Sequence, residues 1–245
     1  MKFTDYFSPE KGIIKEKFNT IPYMDVWISS IVEGYIYEKV LDVDKGGYKL
    51  ECTKRYGKKE GECKVLYPNG QLWMHTYYKE GKKEGEFKWW DKGRLCFQEY
   101  YKEDKRHGEH KGWYPNGQLA GQCYYKEGKI YGEYKEWHEN GRLKFQCYYK
   151  KGKYEGIYEG ECDGEYKKWY DNGQLWVQCY YKEGKFKGEY KTWFRNGQLK
   201  CQCYYKEDRK EGEFKEWNEQ GELISHKIYI GGEVVEDLQT TLGPS

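Results

Sequence analysis

The sequence predicts an all-β chain: an elongated, single-layer antiparallel meander of tandem β-hairpins, each about 24 residues long. Three observations lead there. A Gly-Glu pair recurs at Gly61, Gly85, Gly108, Gly132, Gly164, Gly188 and Gly212, in steps of 24, 23, 24, 32, 24 and 24. A second glycine, usually after Asn, keeps the same beat at Gly70, Gly93, Gly117, Gly141, Gly173, Gly197 and Gly221, so the period is no accident of composition. Aromatics make up 19% of residues beside 34% charged ones. Disordered chains are also polar but lack aromatics, so this balance points to sheet held together by ring side chains.

Further columns share the beat. Leu lies two residues past the second glycine, from Leu72 to Leu223, and a Tyr-Tyr pair follows, as at Tyr148-Tyr149 and Tyr180-Tyr181. Asn140-Gly141 between aromatic and branched runs signals a hairpin with a two-residue type I′ turn. Gly128-Lys129 and its equivalents supply the turn to the next hairpin. Alternation then places Leu143, Phe145, Cys147 and Tyr149 on one face, with Tyr134 opposite Cys147. Trp137, Lys135, Glu133 and Tyr148 share the other, an aromatic and charged lattice.

About eight units run over 37–236, counting a weaker first copy marked by Gly46, Cys52 and Gly57. Residues 1–36 stand outside the repeat. Because an open meander needs its ends covered, they read as an N-terminal cap. The 32-residue step holds an eight-residue insertion near 156–163, and 237–245 form a tail.

The chemistry of catalysis is missing from the pattern. No phosphate-cradling loop and no nucleophile elbow occurs, and the carboxylates around the insertion lack calcium-loop spacing. Cys123, Cys147, Cys179 and Cys203 occupy one column, about 9.6 Å apart, too far for neighbours to bridge or to share zinc. They read as small buried hydrophobes. His75 and His226 replace Gln in a structural column, while His107 and His110 sit where Cys or carboxylates are in reach. We therefore expect no enzyme, no cofactor and no metal. Net charge is +2, so no nucleic acid partner is expected either. No apolar run is long enough to span a membrane, no secretory segment opens the chain, and the nine cysteines read as reduced. That places the chain in the cytoplasm.

The carrying motifs, G-E-[YF]-K-x-W-[YF]-x-N-G-Q-L over Gly188–Leu199 and Y-Y-K-x-G-K over Tyr180–Lys185, resemble the MORN repeat in its variant form, known from bacterial and large-DNA-virus proteins. The resemblance covers about 200 residues. It implies a hairpin ladder used as a scaffold, often self-associating, with some members associated with membranes or phosphoinositides. The Tyr-Tyr-Lys style and the non-repeat N-terminus look like giant-virus members, which implies host cytoplasm or virion.

The function expected is a non-enzymatic scaffold that binds protein partners, a copy of itself included. The candidate surface is Trp113, Trp137, Trp169, Trp193 and Trp217 with Tyr148, Tyr180, Tyr204, Lys135, Lys167 and Lys191, since exposed aromatics beside cations suit interfaces. The alternative is a peripheral membrane adaptor that reads anionic phospholipid head groups through stripes such as Tyr181-Lys182 and Tyr205-Lys206.

Overall fold

The structure, a computed structural model, describes residues 25–32, 35–43, 46–151 and 161–238. These residues hold strands and turns and no helix. They fall into two compact units, Met1–Lys129 and Ile130–Ser245. In the first, the long strands Asp25–Val32, Tyr35–Val43, Lys49–Arg55, Lys58–Leu66, Leu72–Lys79, Lys82–Asp91, Arg94–Lys102, Gly108–Trp113 and Leu119–Lys126 each pair antiparallel with the one before. In the second, Gly132–Trp137, Leu143–Lys151, Gly164–Trp169, Leu175–Lys182, Gly188–Trp193, Leu199–Lys206, Arg209–Trp217, Leu223–Ile230 and Glu233–Asp237 do the same. The chain is thus all-β and built of tandem antiparallel hairpins. Of the segment read as a cap, residues 1–24 lie outside the described residues, as do most of the insertion and 239–245.

The Asn-Gly turns differ from the expected two-residue type I′ form, which puts both central residues at positive φ. Here only the glycine is positive, as at Gly117 (85°) and Gly141 (80°). Gly141 N–H donates to the His138 carbonyl, and His138 N–H to the Arg142 carbonyl, both at 2.8 Å. This is a three-residue connection with glycine in the left-handed region. It offsets the strands by one residue, so Trp137 pairs with Leu143. A bulge at Lys144 removes the offset. Glu136 then meets Phe145 and Tyr134 meets Cys147, the pairing that alternation predicts. Leu143 consequently sits opposite Trp137, not on the Phe145 face where simple alternation placed it.

Lys92-Gly93 is the true two-residue turn, with φ of 50° and 77° and Asp91 paired to Arg94. It is one residue shorter, which explains the 23-residue step. The turns between hairpins also hold two residues at positive φ, as at Glu80-Gly81, Glu127-Gly128 and Glu207-Asp208.

Asparagine has another task at these turns. Its Oδ1 accepts the N–H two residues on, at 3.0 Å from Arg142 to Asn140 and from Gln174 to Asn172. Its Nδ2 reaches the neighbouring hairpin. Asn140 donates to the Asp171 carbonyl at 2.7 Å, Asn172 to that of Arg195 at 2.8 Å and Asn196 to that of Glu219 at 3.2 Å. The residue that opens the turn adds a second tie, for Tyr170 donates to the Trp193 carbonyl at 3.0 Å.

The buried face is a chain of ring contacts broken by small residues. In the second unit Tyr134 and Cys147 are buried, and Phe145 lies 5.7 Å from Tyr134 and 5.0 Å from Tyr166 between ring centroids. Tyr166–Tyr181, Phe186–Tyr205 and Tyr190–Tyr205 continue it at 5.4, 5.3 and 5.6 Å. Such pairs add about 0.5–1.5 kcal/mol each beyond the area they bury. The first unit centres on Val65, Met74 and Phe87, with Trp89, Phe97 and Tyr101 packed around them.

One cysteine expectation is corrected. Cys52 and Cys63 are joined by a disulfide, with Cα atoms 4.3 Å apart. They are direct partners across the ladder. The column argument compared only cysteines two strands apart and did not test this pair. Cys123, Cys147, Cys179 and Cys203 are buried and unbridged, as expected.

Gly117 offers a clean test of the turn, because a Cβ there would meet nothing within 4 Å. Gly117→Ala is expected to lower stability in urea by about 1–2 kcal/mol through backbone strain alone. Gly117→Asn should cost distinctly less, since Asn visits the left-handed region. An alanine variant with unchanged stability would disprove the assigned turn.

Candidate functional site

On the face opposite the ring chain, each hairpin repeats one small network. Glu133 stands across the ladder from Tyr148, and Lys135 from Gln146. Lys135 Nζ lies 2.8 Å from Glu133 Oε2, and Gln146 donates to Oε1 at 2.8 Å. Lys167 and Gln178 bind Glu165 at 2.6 and 3.0 Å, and Lys191 and Gln202 bind Glu189 at 2.6 and 2.9 Å. In the first unit Lys111 and Gln122 hold Glu109 at 2.7 and 2.6 Å. Where histidine replaces Gln the tie persists, His75 lying 2.8 Å from Glu62.

The tyrosines opposite these carboxylates are exposed: Tyr77, Tyr100 and Tyr124 in the first unit, Tyr148, Tyr180 and Tyr204 in the second. Their partners in the Tyr-Tyr pairs, such as Tyr149 and Tyr181, belong to the ring chain. Bulge glycines make room beside them. At Gly108 (φ 90°) a Cβ would lie 3.5 Å from the Tyr100 Cβ. Shallow grooves open at the corresponding place in each unit, beside Tyr100 and beside Tyr204.

The family of MORN repeat variants matches residues 59–80, 106–127, 130–151, 163–183 and 186–207. The chain belongs to that family. No curated protein matches it. MORN repeats form a non-enzymatic repeat family, and the hairpins seen here are its units. Residues 81–105 fall between matched stretches and form the same hairpin, with Lys92 where the matched copies carry Asn and Glu99 in the column of Cys123, Cys147, Cys179 and Cys203.

Of the residues singled out from the MORN columns, Tyr148, Tyr180 and Tyr204 are exposed and stand in one row of the second unit. Lys135, Lys167 and Lys191 lie beside them, each tied to the glutamate two residues earlier. Trp113, Trp137, Trp169, Trp193 and Trp217 are half-buried at the foot of the Asn-Gly turns. Trp169 and Trp193 offer their carbonyls to His138 and Tyr170 of the preceding hairpin. Among the described residues no group of three His, Cys, Asp or Glu is placed to hold a metal ion.

The repeat reading missed one cluster. Glu99 and His110 are 2% and 1% exposed. Glu99 Oε2 lies 2.6 Å from Arg106 Nε and 3.0 Å from His110 Nδ1, and Tyr101 donates to Oε1 at 2.7 Å. Burial alone would raise the Glu99 carboxyl. The His110 hydrogen bond, the Arg106 charge and the Tyr101 hydroxyl outweigh it and hold the group at about 2. The signal in the sequence was a carboxylate in the cysteine column and His110 in the column of Tyr134. The thiols of Cys123 and Cys179 are pushed up to about 12 by burial, so they stay neutral and pack as apolar groups.

Glu99 sits below the ordinary 4.5 of a glutamate, so its stabilisation is complete above that pH and drains away as pH falls toward 2. At neutral pH Glu99→Gln should cost about 3–5 kcal/mol, because Arg106 and His110 then face a neutral amide. Thermal midpoints of the wild type and the variant should converge between pH 5 and 2. Curves that stay parallel would show that Glu99 does not govern acid sensitivity.

Proposed function

We propose that this MORN repeat chain is a non-enzymatic scaffold that binds protein partners, another copy of itself included. The observation that carries it is the row of exposed tyrosines in each unit, set among Glu–Lys–Gln sets that are bonded to one another. Such a surface offers rigid aromatic area with little side-chain entropy left to lose on docking. The grooves beside Tyr100 and Tyr204 are shallow, which suits a chain laid across the face better than a small substrate.

A second reading, attachment to anionic lipid head groups, is favoured by a different observation. The turns between hairpins place basic residues directly opposite one another: Arg55 and Lys58, Lys79 and Lys82, Lys102 and Lys105, Lys182 and Lys185, Lys206 and Arg209. Like charges directly opposite are unfavourable within a sheet, and an anionic surface would relieve that repulsion. The acidic turn residues between them, such as Glu207 against Lys185 at 3.1 Å, offset part of it.

Sedimentation velocity across the micromolar range, with cross-linked pull-down from cells, tests the first reading. The triple variant Y148S/Y180S/Y204S should lose about tenfold or more in partner or self-affinity, equivalent to about 1.4 kcal/mol or more over the three exposed aromatic anchors. A chain that stays monomeric and captures nothing would refute the scaffold. Flotation with phosphoinositide-containing liposomes tests the second. Protein should rise with anionic vesicles and lose that binding when Lys182, Lys185, Lys206 and Arg209 are changed to Glu. Protein left at the bottom in every mixture would dismiss lipid.

A further inference from the structure

The exposed row of the second unit sets a carboxylate forward in every copy. In the pairs beside Tyr148, Tyr180 and Tyr204 the carboxylate is the outer partner: Glu133 is 49% exposed against 30% for Lys135, Glu165 52% against 27% for Lys167, and Glu189 54% against 28% for Lys191. In the first unit Glu62 is likewise the outer partner, at 46% against 36% for Lys64, whereas Glu86 and Glu109 are no more exposed than Lys88 and Lys111. The second unit therefore presents tyrosine rings, each with a carboxylate directly across the ladder, and keeps its cations behind them. Beside Tyr204 a groove of about 590 Å³ is lined by Glu189, Gln202, Glu211, Gly212 and Glu213, with Lys215 the one cation among them.

The spacing narrows the choice of partner. Equivalent tyrosines are two strands apart, about 9.6 Å. A β-strand repeats a given face every two residues, about 6.8 Å, and an α-helix every turn, about 5.4 Å. A polyproline II segment repeats its face every third residue, about 9.3 Å, with no internal hydrogen bonds to satisfy. Over three tyrosines that mismatch stays below about 1 Å. An arginine at each third position would lay its planar guanidinium on a tyrosine ring while the opposite carboxylate accepts from it.

We propose that the tyrosine–carboxylate row of the second unit binds an extended polyproline II segment carrying arginine at every third residue. This rests on the protein-binding reading above and names the chemistry of the partner. Proline between the arginines keeps the segment extended before it docks, so less entropy is lost on binding. The outward glutamates attract the cations and would repel an acidic segment of the same shape.

The test is fluorescence anisotropy of a labelled peptide of four Pro-Pro-Arg repeats, titrated with the full chain at physiological salt. A second peptide of the same composition has its four arginines contiguous. The spaced peptide should bind about tenfold tighter or more, since each ring contributes roughly two- to fivefold. Y148S, Y180S and Y204S should each weaken it by that factor, as should E133Q, E165Q and E189Q. All six side chains are exposed, and unchanged thermal midpoints would confirm that the variants fold. Equal or tighter binding of the contiguous peptide, or full affinity in the triple tyrosine variant, would overturn the proposal. So would absence of peptide binding while the same triple variant loses self-association. That result would assign the row to a second copy and leave the scaffold reading intact.

Discussion

Everything in this sheet depends on register, and register is kept by two offsets that cancel. The three-residue Asn-Gly connection moves the returning strand by one position, and the bulge just past the Leu moves it back. Without the second step every inward ring would turn outward, because side chains alternate with a period of two. Glycine at positive φ makes the first step affordable in strain. The bulge lets Leu143 cover Trp137 while Phe145 stays with the ring chain. The shortened Lys92-Gly93 turn shows the same logic with one residue fewer, since Trp89 still meets Phe97 beyond its own bulge.

The polar face follows from that register. Once Glu133 and Lys135 project from the same side of one strand, two residues apart, their charges meet, and Gln146 fills the position across. Net charge near zero is thus enacted locally, copy by copy, rather than as a balance between distant patches. What distinguishes the copies is depth. Small differences in packing bring glutamate forward at Glu62 and through the second unit, and leave it level with lysine at Glu86 and Glu109. Formal charge counted along the chain is blind to that distinction.

The period, the hairpins, the Tyr134–Cys147 pairing and the burial of the cysteine column were legible in the sequence, because each depends on alternation and on glycine alone. The turn type was not. Asn-Gly reads as a type I′ turn, and the longer form seen here appears only together with the bulge one residue past the Leu, an offset that alternation does not reveal. Among the site residues, the exposure of Tyr148 and its equivalents followed from alternation, whereas the tryptophans looked like surface anchors and are half-buried beside the turns. The Cys52–Cys63 bond and the Glu99–His110 pair escaped for a shared reason. Each arises where a copy departs from its column, Cys63 from the column of Tyr134 to meet Cys52, and Glu99 and His110 from two columns at once, and a consensus averages such departures away.

The Glu99–His110 pair has one more implication, for how a chain of near-identical parts finds its order. Hairpins alike in shape can dock one copy out of step, since a neighbour's edge offers the same hydrogen bonds and similar rings. Glu99 lies on one hairpin, and Arg106 and His110 lie on the stretch that joins and begins the next. Any arrangement that skips a copy strands the Glu99 carboxylate among rings and the Arg106 charge elsewhere, at a cost of several kcal/mol. A single buried acid–base contact therefore acts as an index mark on a ruler of equal divisions, and the fold counts its repeats from there.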